Sequence, residues 1–136
     1  MQQPHIYPVN IFYEDTDFSG VVYYANYLRY FERARSDFFG LDELLEMYKQ
    51  TGVGFAVYRA DIHYREGAKF GDRLEIRTLV KKESDYRIQC DQSVWRGGAT
   101  QPLVKAIIQM VCLDRDQKLV QLPQRVLDIL ARNDAL

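Results

Sequence analysis

The stretch Tyr13 to Phe39, YEDTDFSGVVYYANYLRYFERARSDFF, joins an acidic loop, a glycine and a long amphipathic run without a break. Asn26 is suited to cap a helix, because its side-chain oxygen can accept from the free N–H groups of a first turn. No Pro or Gly then intervenes until Gly40, so a helix is predicted over 26–39. Tyr27, Phe31, Ala34 and Phe38 recur at spacings of four, three and four, which makes one apolar face, while Arg29, Glu32, Arg33 and Ser36 fall opposite. Such a helix needs an apolar surface to lie on.

Upstream, Asp15 and Asp17 flank Thr16 just before Ser19-Gly20, so a tight polar bend is predicted between a strand and the Val21-Val22-Tyr23-Tyr24 run that feeds the helix. Carboxylates then sit near a helix N-terminus, where unpaired N–H groups and the helix dipole keep them ionised. The same N–H groups are placed to hold a developing oxyanion. Taken alone, the pattern reads more readily as turn and capping carboxylates beside a core of aromatics.

The segment resembles the active-site signature of the 4-hydroxybenzoyl-CoA thioesterase family of hotdog-fold proteins, and especially its branch of small acyl-CoA thioesterases associated with the Tol-Pal system. That signature runs Tyr-x-Asp-x-Asp-x-x-Gly-x-Val-x-x-x-x-Tyr into a helix carrying Phe-Glu-x-Ala-Arg. Tyr13, Asp15, Asp17, Gly20, Val22, Tyr27, Phe31, Glu32, Ala34 and Arg35 match it. The resemblance implies hydrolysis of an acyl-CoA to free acid and CoA, with Asp17 as nucleophile or general base. It implies backbone N–H groups around Tyr24 and Ala25 that polarise the carbonyl, and Gly20, Val22 and Tyr23 beside the substrate. One departure stands out: the Tol-Pal branch commonly has a histidine where this chain has Tyr24, whereas the 4-hydroxybenzoyl branch has an aromatic. A mechanism needing an imidazole there is disfavoured, and a phenol is a poor base at neutral pH.

In the family the loop corresponding to Arg65–Gly71 lies beside the active site, which makes Arg65 and Gly67 candidates. Some relatives carry a basic cluster for the CoA phosphates in the turn that here reads Glu83-Ser84-Asp85, so Lys81, Lys82, Arg65 and Lys69 become the candidate cations. The resemblance further implies a homodimer or homotetramer with sites between subunits, and no cofactor. A hotdog module that binds acyl-CoA without turning it over is the alternative. A hotdog dehydratase would need a histidine paired with a carboxylate, and neither histidine lies in the helix segment.

Length and composition bound these expectations. At 136 residues the chain suits one domain over 1–136, large enough to bury roughly two-thirds of its unfolded surface. Eighteen basic residues against nineteen acidic ones give a net charge of −1, no field for nucleic acid. Cys90 and Cys112 lie in alternating apolar segments without metal-ligand spacing and are expected to be reduced core residues; no metal site is expected. The start, MQQPHIYP, shows no export signal, and no stretch is apolar enough to span a membrane, which points to a cytoplasmic protein.

The rest reads as strands and short helices. Alternation predicts a first strand over 6–14, then strands over 55–64, 74–81, 88–95 and 103–113. Asp42 is placed to cap a short helix over 43–49, with Leu44, Leu45 and Tyr48 on one side, and Pro123 to open a terminal helix carrying Val126, Leu127, Ile129 and Leu130. Gly97-Gly98 makes a hairpin turn, and His5 falls in a terminal segment expected to fray. Strand, long helix, short helix and then four strands argue for an α+β domain, the hotdog arrangement, in which a long central helix is wrapped by a curved antiparallel sheet.

Overall fold

A computed structural model describes residues 2–136. Six strands form one antiparallel sheet: β1 (His5–Asn10), β2 (Gly54–Tyr64), β3 (Arg73–Lys82), β4 (Arg87–Arg96), β5 (Val104–Leu113) and β6 (Leu119–Val120). Their order in space is β1-β3-β4-β5-β2, with β6 paired to the end of β5. The helices are α1 (Asn26–Phe39), α2 (Leu41–Thr51) and α3 (Gln124–Arg132). None is long and apolar enough to cross a membrane.

The two-residue period of the middle strands does what it predicts. Leu74, Ile76, Thr78 and Val80 on β3, Ile88, Cys90, Gln92 and Val94 on β4, and Val104, Ala106, Ile108, Met110 and Cys112 on β5 are all buried on one face. Both cysteines are free, and burial pushes each thiol up to about 12. Over this face lies α1, burying Tyr27, Tyr30, Phe31, Ala34, Arg35 and Phe39. It packs chiefly over β1 and β3 and meets edge strand β2 at its two ends, through Tyr27 against Tyr64 and Phe39 against Phe55.

Several local expectations are corrected. The first strand ends at Asn10, not Glu14: Ile11 turns into the core and bonds Gly71 and Asp72, and Tyr13–Asp15 close into a 3-10 turn. Asp15 accepts the Phe12 N–H at 2.7 Å, which draws the chain out of strand geometry. Asn26 does not cap α1. Ala25 holds that position, and the Asn26 amide instead donates to the Asp15 carbonyl at 2.9 Å. Nor does Asp42 cap α2, which begins at Leu41, so the carboxylate serves in its first turn; Met47 is the residue it buries, while Leu45 and Tyr48 are exposed. His5 opens β1, bonds Asp37 at 2.9 Å and sets its ring edge-on to Phe38. The β6 strand is too short for alternation to reveal.

Candidate active site

The acidic loop folds as a small hairpin laid against the start of α1. The Asp17 N–H donates to the Val21 carbonyl at 2.9 Å, the Tyr23 N–H donates to the Asp15 carbonyl at 3.0 Å, and Thr16 bridges Val22. At the tip the Gly20 N–H donates back to the Asp17 carbonyl at 3.0 Å, and Gly20 takes φ +84°, a conformation that favours glycine.

The Asp17 carboxylate is anchored by one oxygen. Oδ1 accepts from the Ser19 hydroxyl and, at 2.8 Å, from the Ser19 N–H, while Oδ2 has no donor among the described residues. Those bonds, the hydroxyl's first, hold the carboxyl below the usual carboxylate value. It faces a cavity of about 370 Å³ lined by Tyr13, Thr16, Phe18, Gly20 and Phe70. Phe18 is fully exposed and Tyr13 meets Phe70 edge-on at 5.9 Å, so an aromatic wall stands in water beside an anion. Such a surface calls for an apolar group to cover it.

The loop before β3 is docked on this hairpin. Val22, which is buried, donates its N–H to the Ala68 carbonyl at 2.8 Å; the Ala68 N–H donates to the Tyr27 hydroxyl at 3.0 Å; and Lys69 bridges Val21. Gly67 lies so close that a Cβ there would stand 3.2 Å from Val21. Arg65 is turned to the rim, donating from Nε to the Pro102 carbonyl at 2.8 Å and pairing with Glu66 at 3.5 Å. Lys69 is exposed and has no ion-pair partner among the described residues.

Tyr24 and Ala25 lie where the hairpin runs into α1, off the wall of the Asp17 cavity. Neither N–H has an acceptor among the described residues, which leaves two aligned donors at the positive end of the helix dipole. The Tyr24 ring is exposed, tilted against Tyr23 at 5.0 Å and edge-on to Tyr64 at 6.2 Å, and the Tyr64 hydroxyl donates to the Tyr24 carbonyl at 3.2 Å. The Tyr23 ring is likewise half exposed. Lys81 and Lys82 are not brought into this group within one chain. They end β3, roughly 30 Å of extended strand beyond the docked loop, and Lys82 pairs with Asp85 at 3.1 Å.

Four residues take parts that the pattern does not assign. Ser19 anchors Asp17; Phe18 and Phe70 supply apolar wall; and Asp15 ties the hairpin down. The Asp15 carboxylate accepts from the Tyr30 hydroxyl at 2.7 Å and from the Phe12 N–H at 2.7 Å, while its carbonyl accepts from Tyr23 and Asn26. Burial, reinforced by that anion, raises the Tyr30 pKa. The spacing of four between Asn26 and Tyr30 puts both on one helix face, the signal that both reach a common partner.

A profile of the Thioesterase-like superfamily matches residues 13–130. The acyl-CoA thioesterase YbgC of Haemophilus influenzae is 36% identical over 126 residues, covering 88% of this chain and 89% of that protein. The 1,4-dihydroxy-2-naphthoyl-CoA hydrolase of Synechocystis is 30% identical over 122 residues, covering 87% and 88%. The crystal structure of a 1,4-dihydroxy-2-naphthoyl-CoA thioesterase from Synechocystis superposes with a TM-score of 0.86 at 24% identity, covering 98% of this chain and all of that one. The sheet and helix described above are thus the hotdog fold.

Proposed function

The chain belongs to the Thioesterase-like superfamily and is an acyl-CoA thioester hydrolase; from that premise we propose that Asp17 carries the reaction and that the free N–H groups of Tyr24 and Ala25 hold the carbonyl oxygen. The observation that supports this reading is a carboxylate anchored by one oxygen and free at the other, in the loop that leads into a helix N-terminus with unpaired donors. A carboxyl held below its usual value is ionised through the neutral range, and with Oδ2 free it can serve as general base toward water or, in the shorter sequence, attack the carbonyl carbon itself.

In that sequence Oδ2 adds to the thioester carbon, the carbonyl electrons move onto oxygen, and the tetrahedral species is held by the helix-end donors. Collapse expels the CoA thiolate, leaving an acyl–aspartyl anhydride. Water then hydrolyses it to the free acid and restores the carboxylate. Gly20, Val22 and Tyr23 shape the reacting centre, and Gly67 lets the docked loop approach it. Lys69, exposed on that loop and without an acidic partner, is the cation best placed for a CoA phosphate; Arg65 is already engaged with Pro102 and Glu66. Lys81 and Lys82 reach such a ligand only from a second subunit.

A second copy completes the assembly along β2. This edge strand leaves Val57, Tyr58 and Tyr64 each 46% exposed with one row of backbone groups unpaired, a surface that a copy of the same strand would cover. Two such pairs would meet on the outer sheet face, where Leu79 and Ile107 stand in water. The deciding experiment follows thiol release from CoA thioesters, acetyl to palmitoyl and aromatic, by the wild type and Asp17→Asn. The variant is expected to fold and bind but to lose at least about a hundredfold in kcat. Retained turnover would remove Asp17 from the chemistry. In single turnover in heavy-oxygen water, label enters Asp17 only by the anhydride route.

A further inference from the structure

Away from the motif, β4 ends on a cation where its inner face calls for an apolar residue. Ile88, Cys90, Gln92 and Val94 are buried along that face, and Arg96 continues the row, opposite Leu74 on β3. A partly buried guanidinium needs anions beside it, since burial strips water from its charge. Both of its partners lie in the loop before β3. Nη1 donates to Glu66 Oε1 at 3.1 Å, while Nη2 and Nε donate to Asp72 Oδ2 at 2.9 and 3.3 Å. These carboxylates, the Asp72 bond first, hold the guanidinium pKa above its ordinary value.

The oxygen that takes both nitrogens also closes a turn. Asp72 Oδ2 accepts the Lys69 N–H at 2.8 Å, and the Asp72 N–H returns to the Lys69 carbonyl at 3.0 Å. Burial works against the ionised Asp72, yet the Arg96 bond and the Lys69 N–H keep its carboxyl below the usual carboxylate value. Bonds from Ala68 to Val22 and from Gly71 to Ile11 fix the backbone on either side, so Oδ2 is what shapes the turn 69–72 between them. With 32% and 21% of their side chains exposed, Arg96 and Asp72 add little to folding stability. What they fix is geometry.

The turn carries Phe70, whose ring lines the Asp17 cavity and meets Tyr13 edge-on. Phe70 is 61% exposed, so packing alone does not place it; the backbone of its turn does. The chain of contacts thus runs from Arg96 to Asp72 Oδ2, from there to the turn, and from the turn to a wall of the cavity that the Asp17 carboxylate faces. Resting on the thioesterase reading above, we propose that Arg96 is a positioning residue. Through Asp72 it holds Phe70 against the acyl group beside Asp17, and so sets a preference for larger apolar acyl groups over acetyl.

The test measures kcat/KM for acetyl-, hexanoyl- and benzoyl-CoA on the wild type, Arg96→Met, Phe70→Ala and the double variant, taken as the ratio of the better large substrate to acetyl-CoA. A ratio within one preparation cancels any loss of folded enzyme. The wild-type ratio is expected to be about tenfold or more, and to fall at least about fivefold in Arg96→Met and in Phe70→Ala. The double variant should be no worse than Phe70→Ala, because Arg96 acts through that ring. A wild-type ratio near unity, an unmoved ratio in Arg96→Met, or losses that add in the double variant overturns the proposal. Arg96→Lys keeps the charge but gives Asp72 one ammonium in place of two fixed N–H donors, so its ratio should fall too, and it decides the question if Arg96→Met does not fold. If the wild type cleaves no thioester, the hydrolase reading fails, and the same ratio taken from the Kd of the three thioesters judges Arg96 alone. Cleavage with a ratio indifferent to Arg96 does the reverse.

Discussion

At the scale of single residues, the role proposed for Asp17 makes the Asp17–Ser19 pair the expected determinant of the pH response. Ser19 stabilises the ionised carboxyl and lowers its pKa, so the Asp17 carboxylate is ionised through the neutral range and is lost only as pH falls through that depressed value. Ser19→Ala removes the hydroxyl bond and keeps the backbone one, which lets the pKa rise. The acid limb of the kcat/KM profile should therefore move to higher pH while the neutral plateau keeps its level. An unmoved limb means that Asp17 is not the group titrating there. Lys69→Ala should raise KM several-fold with kcat little changed, and less so at high salt, as expected of a screened contact to phosphate. The hairpin that carries Asp17 is legible in the sequence because Asp15, Asp17, Ser19 and Gly20 crowd a polar bend. The anchoring of Asp17 is half legible, since an Asp two residues before a Ser is a turn pattern. The Arg96 clamp is not legible, because the carboxylates it joins lie 24 and 30 residues away along the chain.

At the scale of elements, the site depends on how one hairpin is bolted to one helix. Tyr30 is almost fully buried, and its hydroxyl is one of two donors to the Asp15 carboxylate. Tyr30→Phe deletes that donor while keeping the ring. It should cost about 1.5 kcal/mol, the low end for a bond to a charged group, since Asp15 keeps the Phe12 N–H and some water. A urea titration would show the loss. The accompanying fall in kcat should exceed any change in KM, because the loosened hairpin misplaces Asp17. Strands β3, β4 and β5 are legible for a physical reason: each has one face against α1 and one toward water, so hydrophobicity alternates. At β2 the alternation finds the strand within one residue but not a buried face, because both faces of this edge are largely exposed and a register shift falls between Val57 and Arg59. The first strand is overcalled for the opposite reason. Ile11 and Tyr13 continue the alternation, but Asp15 captures the Phe12 N–H, and a local side-chain bond outweighs propensity.

At the scale of the molecule, the inner face of the sheet is covered across β3, β4 and β5, and it is the β2 edge that stands bare. The helix sits over β1 and β3 and reaches β4 through Arg35 and Gln92, while the outer edge of β2 has no strand beside it. A chain this short buries its apolar surface with one long helix only in part, and the remainder is expected to go against a second copy. The Tyr24 turn lies against Tyr64 of β2, so a seam along that edge would border the reacting centre, and activity should require the pair. Val57→Lys tests this. Val57 is 46% exposed on β2, so a lysine costs the monomer little but sets like charges against each other where two β2 edges meet around a twofold axis. Sedimentation should show the wild type as a dimer or larger and the variant as a monomer of unchanged circular dichroism, with thioesterase activity lost in proportion to the dimer. A monomeric variant that keeps full activity would place the whole site within one chain, and a variant that stays dimeric would move the seam away from β2.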